Sequence, residues 1–293
     1  MAFPEGRVAL ALHGGAGVVR GRDYQRQLRH MSGVVEMGRD RLMAGDAALD
    51  VAQAVVAELE AAGLYVAGRG ASPNSVGRFE LDASLMEGTS GRAGAVAALQ
   101  GFRSPIAVAR RVLDATPHVM LAGDGAAAFA RGQGLEEIED EAAWFTGYKI
   151  ARGLAAPSPG TGTVGCVALD QQGALAAATS TGGTTGKLYG RVGDTPVIGA
   201  GTWADRHVAV SCTGVGEFFI RAAVAAQIGF RVRLAGESLA QAAGAALAEA
   251  KAQGGDGGLI ALGAAGDIAM PFNTEGMSRA ALHPDGRIAV EVY

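Results

Sequence analysis

The chain has 293 residues, enough for one large domain or two ordinary ones, and 49% hydrophobic against 18% charged residues excludes a disordered chain. A net charge of −4 argues against a nucleic-acid-binding surface, and two cysteines make neither a disulfide framework nor a metal cluster. Glycine is the anomaly: 46 of 293 residues, about 16% against a usual ~7%, without a collagen period and gathered in short knots such as HGGAG and STGG. In chain order, the apolar run Arg7–Leu12 predicts a buried strand ending at His13-Gly14-Gly15-Ala16-Gly17. Helical patterns follow over 23–44 and 46–62, the second with Asp46 as its candidate N-cap. The Gly-rich loop 67–78 leads to strands over 80–88 and 93–101. Helices are predicted over 105–115, 123–131 and 136–152.

Residues 153–162, GLAAPSPGTG, are the best linker in the chain. Beyond it, 163–170, 173–181 and 207–213 read as strands, 216–230 and 238–252 as helices, and 259–272 and 286–293 as closing strands. Strands in runs and helices in pairs fit layers better than a strictly alternating βαβ order, so two stacked sheets with helices outside both are expected. The N-terminus lacks a charged segment followed by a long apolar core, and no stretch of about 20 apolar residues is uninterrupted. The expectation is a cytoplasmic protein with no membrane partner and no nucleic-acid partner.

Several familiar chemistries fail on spacing. Gly183-Thr184-Thr185-Gly186-Lys187 resembles a phosphate loop, but Thr181 stands where its first Gly belongs and Leu188 where Ser or Thr should follow the Lys. The five histidines form no ligand spacing, there is no GxSxG elbow, and His13 reads as a structural hydrogen-bonder. Cys166 and Cys212 sit inside apolar strand patterns and read as packed. The acidic run Glu136–Glu141 reads as a solvated helix start. What stands out is the density of threonine between Gly160 and Gly216, and above all that the Pro/Gly/Ser-rich stretch ends at Gly162-Thr163, where a buried strand begins. Cleavage there would make Thr163 a free N-terminus. Its α-amine, with a pKa near ~8, could then take the proton of its own hydroxyl, supplying nucleophile and base in one residue.

GTVGCVALD (162–170), ATSTGG (178–183), GRVGDTPVIGAG (190–201), SCTGVGEFFIR (211–221), ALHGGAG (11–17), ELDASLM (80–86) and TPHVMLAGDGA (116–126) together resemble the plant-type asparaginase/isoaspartyl aminopeptidase family over nearly the whole chain. The resemblance implies a single N-terminal nucleophile (Ntn) hydrolase domain, an αββα four-layer sandwich, cut by itself into 1–162 and 163–293. It implies Thr163 as nucleophile, Thr181 as the hydroxyl that orients it, and Thr213 with Gly214 as the oxyanion hole. Arg191 and Asp194 would hold the substrate's α-carboxylate and α-amine, and Gly216 would let substrate approach the backbone. It further implies a small-molecule or dipeptide substrate, no catalytic cofactor, and a homodimer of cleaved units. A structural sodium ion would be held by backbone carbonyls between Leu59 and Arg69, at Leu59, Glu60, Ala62, Tyr65, Ala67 and Arg69. The GTVG cleavage site separates the chain from the glycosylasparaginase branch, which reads Asp-Thr-Ile-Gly. One departure is plain: where the family has Phe-Asn-Ala-Gly, this chain has Tyr65-Val66-Ala67-Gly68. Val66 leaves open a related enzyme for another β-linked amide, and an unprocessed, non-catalytic relative is the third reading.

Overall fold

A computed structural model describes residues 7–148 and 162–293. Eight strands form a large sheet in the order β12-β11-β1-β5-β6-β2-β3-β4, and four form a small one, β10-β9-β8-β7. In chain order these are β1 (Ala9–His13), β2 (Leu81–Glu87), β3 (Ala93–Leu99), β4 (Met120–Ala122), β5 (Val164–Leu169), β6 (Leu175–Thr181), β7 (Thr202–Ala204), β8 (Val208–Gly214), β9 (Gly257–Gly263), β10 (Ile268–Ala269), β11 (Arg279–Leu282) and β12 (Ile288–Glu291). The helices are α1 (Gln25–Met43), α2 (Ala48–Ala61), α3 (Pro105–Ala115), α4 (Gly123–Gly132), α5 (Glu141–Trp144), α6 (Gly216–Ala222), α7 (Val224–Ala235) and α8 (Leu239–Ala252).

Strand periodicity explains the layers. Successive side chains point to opposite faces, so Leu10 and Leu12 of β1 and Val164, Cys166 and Ala168 of β5 enter one core beneath α1–α3. Their neighbours Ala9, Ala11, Val167 and Leu169 face the small sheet and join Ile260 and Leu262 of β9. The other face of the small sheet, Val208, Val210, Cys212, Leu259 and Ala261, is covered by α7 and α8. Helix, sheet, sheet, helix is the four-layer sandwich expected. No helix among the described residues is long and apolar enough to cross a membrane.

Several local expectations are corrected. Asp46 does not cap α2: it pairs with Arg41, while Oδ2 of Asp170, at the end of β5, accepts the Ala48 N–H at 2.9 Å. The helix read over 216–230 breaks at Ala223, where φ is 47°. In the first turn beyond the break the N–H groups of Ala225 and Ala226 go to the carbonyls of Ala200 and Gly199, which redirects the chain. Strands β4, β7 and β11 were not read from the sequence. Of the helix over 136–152, residues 136–140 are not helical: Glu136 and Glu137 pair with Arg103 and Arg131, and Asp140 caps the short α5. The linker over 153–162 lies outside the described residues except for Gly162.

Candidate active site

The C-terminal ends of β1, β6 and β8 and the start of β5 meet at one end of the sandwich. Extending the antiparallel β5–β6 register one pair beyond Val164–Ser180 sets Thr163 opposite Thr181. Both are buried, and the Thr163 hydroxyl donates to Thr181 Oγ1 at 3.1 Å. Thr181 has one proton, aimed at the Val66 carbonyl at 3.4 Å, so its oxygen can accept from Thr163 and from the Gly183 N–H at 3.0 Å. The main chain of Val66 also donates its N–H to the Gly162 carbonyl at 3.1 Å and accepts from Gly182 at 2.8 Å. A donor thus already stands on the carbonyl of the Gly162–Thr163 bond, where charge would develop if that bond were attacked.

A cavity of about 250 Å³ opens beside this pair. Gly162, Thr163, Thr181, Arg191, Asp194, Thr213 and Gly214 all line it, with Ala16, Asp256 and Thr274 among the remaining wall residues. Asp194 is 4% exposed and its Oδ2 has no hydrogen-bond partner among the described residues. Burial pushes its pKa up to about 7 despite the Arg191 guanidinium nearby. A buried carboxylate oxygen left unpaired beside a cavity is a costly arrangement that a bound ammonium would relieve. Arg191 donates from Nε and Nη2 to the two oxygens of Glu217, each at 2.9 Å, and this bonding holds the Glu217 carboxyl below its usual range. Gly216 lies outside the cavity lining; a Cβ there would stand 2.8 Å from Asp194 Oδ1, so its bareness makes room for Asp194.

The loop carrying Arg191 rests on buried polar groups. Lys187, 6% exposed, donates Nζ to the Glu80 carbonyl at 2.9 Å, which accounts for the lysine of the phosphate-loop-like GTTGK. The Glu80 carboxylate accepts from Asn74 Nδ2 at 2.7 Å and from the Gly190 N–H at 2.9 Å. Neither Glu80 nor Asn74 was picked out from the sequence, nor was Glu217, whose only signal was its position in the first turn after Gly216. Along 59–69, the Glu60 side chain turns to the N-terminus of α3, accepting from Ser104 Oγ at 2.6 Å and Ile106 N at 3.0 Å. The Ala67 carbonyl accepts from the Gly70 N–H at 3.0 Å and keeps a second lone pair, whereas the Arg69 carbonyl accepts twice from Thr146, from its N–H at 3.0 Å and its Oγ1 at 3.4 Å.

The sequence matches a family model described as Asparaginase over residues 6–154 and 147–291. It is 45% identical to the isoaspartyl peptidase of Escherichia coli K12 over 298 residues, covering 94% of this chain and 92% of that protein. It is 38% identical to the isoaspartyl peptidase/L-asparaginase of Xenopus laevis, covering 97% of this chain and 94% of that one. The plant-type L-asparaginase of Pyrococcus horikoshii is 37% identical, with 93% and 95% covered.

Proposed function

The chain belongs to this asparaginase family, and on that premise we propose that it is an N-terminal threonine amidohydrolase that cleaves β-aspartyl (isoaspartyl) peptides and hydrolyses asparagine. The observation that carries the reading is the single cavity in which the Thr163–Thr181 hydroxyl pair faces a guanidinium and an unpaired buried carboxylate. A free α-amino acid end presents one carboxylate and one ammonium, which Arg191 and Asp194 match in charge.

The chain matures by cutting itself at Gly162–Thr163. Thr163 Oγ adds to the Gly162 carbonyl carbon, the C–N bond breaks as the nitrogen takes a proton, and water opens the resulting ester to give 1–162 and 163–293. In the mature enzyme the Thr163 α-amine accepts the hydroxyl proton as Oγ attacks the substrate's β-carbonyl. Charge on that oxygen is met by Thr213 Oγ1 and the Gly214 N–H. The proton passes to the leaving amine or ammonia, and water releases aspartate from the β-aspartyl ester.

No cofactor takes part in these steps. A structural sodium ion suits the neutral carbonyl oxygens of 59–69, because Glu60 spends its carboxylate on α3 and the Ala67 carbonyl keeps a lone pair free. The cleaved units pair into a homodimer, and the two free, buried thiols of Cys166 and Cys212 agree with a reducing, cytoplasmic setting. The test is to incubate purified protein with β-Asp-Leu, asparagine, glycosylasparagine and bulkier β-linked amides while following fragments on a denaturing gel. Two fragments and release of leucine from β-Asp-Leu are expected, and both should disappear in Thr163→Ala. A cleaved enzyme active only on another β-linked amide would favour the altered-substrate reading that Val66 leaves open. Fragments persisting in Thr163→Ala would overturn the nucleophile assignment.

A further inference from the structure

Between the sheets runs a file of polar groups that the chemistry above does not use. Ser84 Oγ lies 2.8 Å from Thr202 Oγ1, Thr202 Oγ1 2.6 Å from Thr179 Oγ1, and Thr179 Oγ1 2.7 Å from Ser211 Oγ. Ser211 Oγ lies 3.0 Å from His13 Nε2, and His13 Nδ1 is 3.1 Å from the carbonyl oxygen of Thr163. All five side chains are fully buried, and they come from five strands of both sheets.

The last link fixes the direction of all the others. A main-chain carbonyl only accepts, so His13 Nδ1 must carry a proton. Burial holds the imidazole neutral, its pKa lowered to about 3, so it has a single N–H and Nε2 must accept. Ser211 therefore spends its one proton on Nε2, Thr179 donates to Ser211, and Thr202 donates to Thr179. Ser84 closes the file, its proton lying between Thr202 Oγ1 and the Thr195 carbonyl at 2.6 Å. With the Ser211 proton committed to Nε2, Thr179 and Thr202 donate along the file rather than to the more distant carbonyls of Gly201 at 3.3 Å and Thr195 at 3.4 Å, and the file from Thr202 onward runs towards His13 and the Thr163 carbonyl.

A second observation comes from Gly165. In the large sheet it is the direct partner of His13 on one side and of Thr179 on the other. A Cβ at Gly165 would stand 1.9 Å from Ser211 Oγ and 2.5 Å from His13 Nε2. Glycine weakens a central strand, and its presence usually marks the close approach of another group. Here that group is Ser211 of the facing sheet, which drops into the slot and links the two neighbours of Gly165.

We propose that His13 and Ser211 are positioning residues for Thr163: they hold its carbonyl and so set the rotation that aims its α-amine and Oγ1 at Thr181 and the cavity. The proposal rests on Thr163 being the nucleophile. The β1–β5 pairing ends at His13–Gly165, two residues short of Thr163, so the ladder itself does not hold this carbonyl. Once the bond to Gly162 is cut, Thr163 has lost its upstream tether, and the His13 bond carries more of the task.

The test compares His13→Ala, His13→Asn and Ser211→Ala as purified, matured enzymes on β-Asp-Leu. An Asn amide can stand near the position of Nδ1 and donate to the Thr163 carbonyl. We expect kcat to fall by about 100-fold in His13→Ala and by about 3–10-fold in His13→Asn and Ser211→Ala, with KM within about twofold throughout, because substrate is held by other residues. Self-cleavage of the precursors should fall in the same order. Should His13→Ala fail to fold or mature, Ser211→Ala, which removes a single hydroxyl, carries the test. An unchanged kcat in a folded His13→Ala or Ser211→Ala, a KM rising as much as kcat falls, or an Asn variant no better than Ala would overturn the positioning role alone. Wild-type protein that neither cuts itself nor hydrolyses β-Asp-Leu would overturn the functional reading, and this proposal with it.

Discussion

Glu217 grips Arg191 by one edge of its guanidinium, Nε to Oε1 and Nη2 to Oε2, while Nη1 stands where a Cβ on Gly193 would approach to 2.9 Å. The pair is asymmetric in exposure, 19% for the Arg191 side chain and 53% for that of Glu217. Such a half-wet carboxylate adds little to stability, but it holds a long side chain in one rotamer at the rim of the cavity. Immobilising a side chain of this kind costs about 0.5–1.5 kcal/mol, so pre-orienting it is worth roughly 2–10-fold in affinity. Glu217→Ala should therefore raise KM for β-Asp-Leu by about that factor with kcat little changed. Glu217→Gln, which keeps one acceptor, should fall between. A lowered KM in Glu217→Ala would show that Glu217 competes with the substrate carboxylate instead of preparing for it.

Asp194 gives the pH dependence. Its free-enzyme pKa is about 7, and only the ionised form pairs with an ammonium. kcat/KM, which reports the free enzyme, should fall about tenfold per pH unit below that value, and kcat should hold to lower pH because bound substrate favours the carboxylate. Linkage has the opposite sense. A folded pKa raised from the ordinary 3.8 of an aspartate to about 7 binds extra protons in the native state, so the stability it confers is full below the unfolded value and is lost as pH rises through 7. The difference is of the order of 4 kcal/mol for a group this buried. Asp194→Asn should thus melt higher than wild type at pH 8 and about the same at pH 4, while losing the acid limb of the rate profile. Thermal melts and rate profiles of both proteins check the two halves separately.

What was legible in the sequence was what period and register carry. The apolar runs of β1 and β5 and the place of Thr163 at the foot of β5 were readable directly; Thr181 was implied only by the family resemblance, and the β5–β6 register is what makes it the cross-strand neighbour of Thr163. What was not legible depends on partners distant along the chain. Asp170 caps a helix 122 positions away, and no local pattern distinguishes it from Asp46. The break at Ala223 falls within strong helix formers and is made by the carbonyls of Gly199 and Ala200. Strands as short as Thr202–Ala204 carry too few residues to show a period. In the site, Glu217, Glu80 and Lys187 act on the Arg191 loop through contacts that no motif spacing encodes.

Thr181 separates orientation from bulk. Its oxygen accepts from Thr163 and Gly183, and its proton goes to the Val66 carbonyl. Thr181→Val keeps the shape and removes all three bonds, leaving the Thr163 hydroxyl unaimed. Self-cleavage and kcat should each fall by about 100-fold, the scale for a misplaced reacting group. Thr181→Ser should retain most of both. Fragment formation over time, read on a gel beside β-Asp-Leu turnover, measures the two effects. A Val variant within tenfold of wild type would remove Thr181 from the mechanism.

Val66 is the departure whose consequence is most open to measurement. Its main chain already does two things for the site, donating to the Gly162 carbonyl at 3.1 Å and accepting from Gly182 at 2.8 Å. These bonds do not depend on the side chain, so a substitution can change the chemistry without releasing the segment. The residue is buried, at 7% exposure, and its isopropyl group can neither donate nor accept. Asn is close to Val in size and adds an amide on a segment whose main chain touches Gly162, Thr181 and Gly182. One hydrogen bond gained there is worth about 1 kcal/mol, and 1.4 kcal/mol is tenfold in rate. Val66→Asn should therefore speed self-cleavage or raise kcat/KM on β-Asp-Leu or asparagine by up to about tenfold, with a melting temperature unchanged or slightly lower from the lost apolar burial. Measuring wild type and Val66→Asn on those substrates and on bulkier β-linked amides separates the alternatives. If Val66 shapes a pocket for a more apolar substrate, Asn will reduce turnover of that substrate and add nothing on β-Asp-Leu. A folded, cleaved Val66→Asn enzyme that is no better on any β-aspartyl compound would show that the wild-type network loses nothing by lacking the amide.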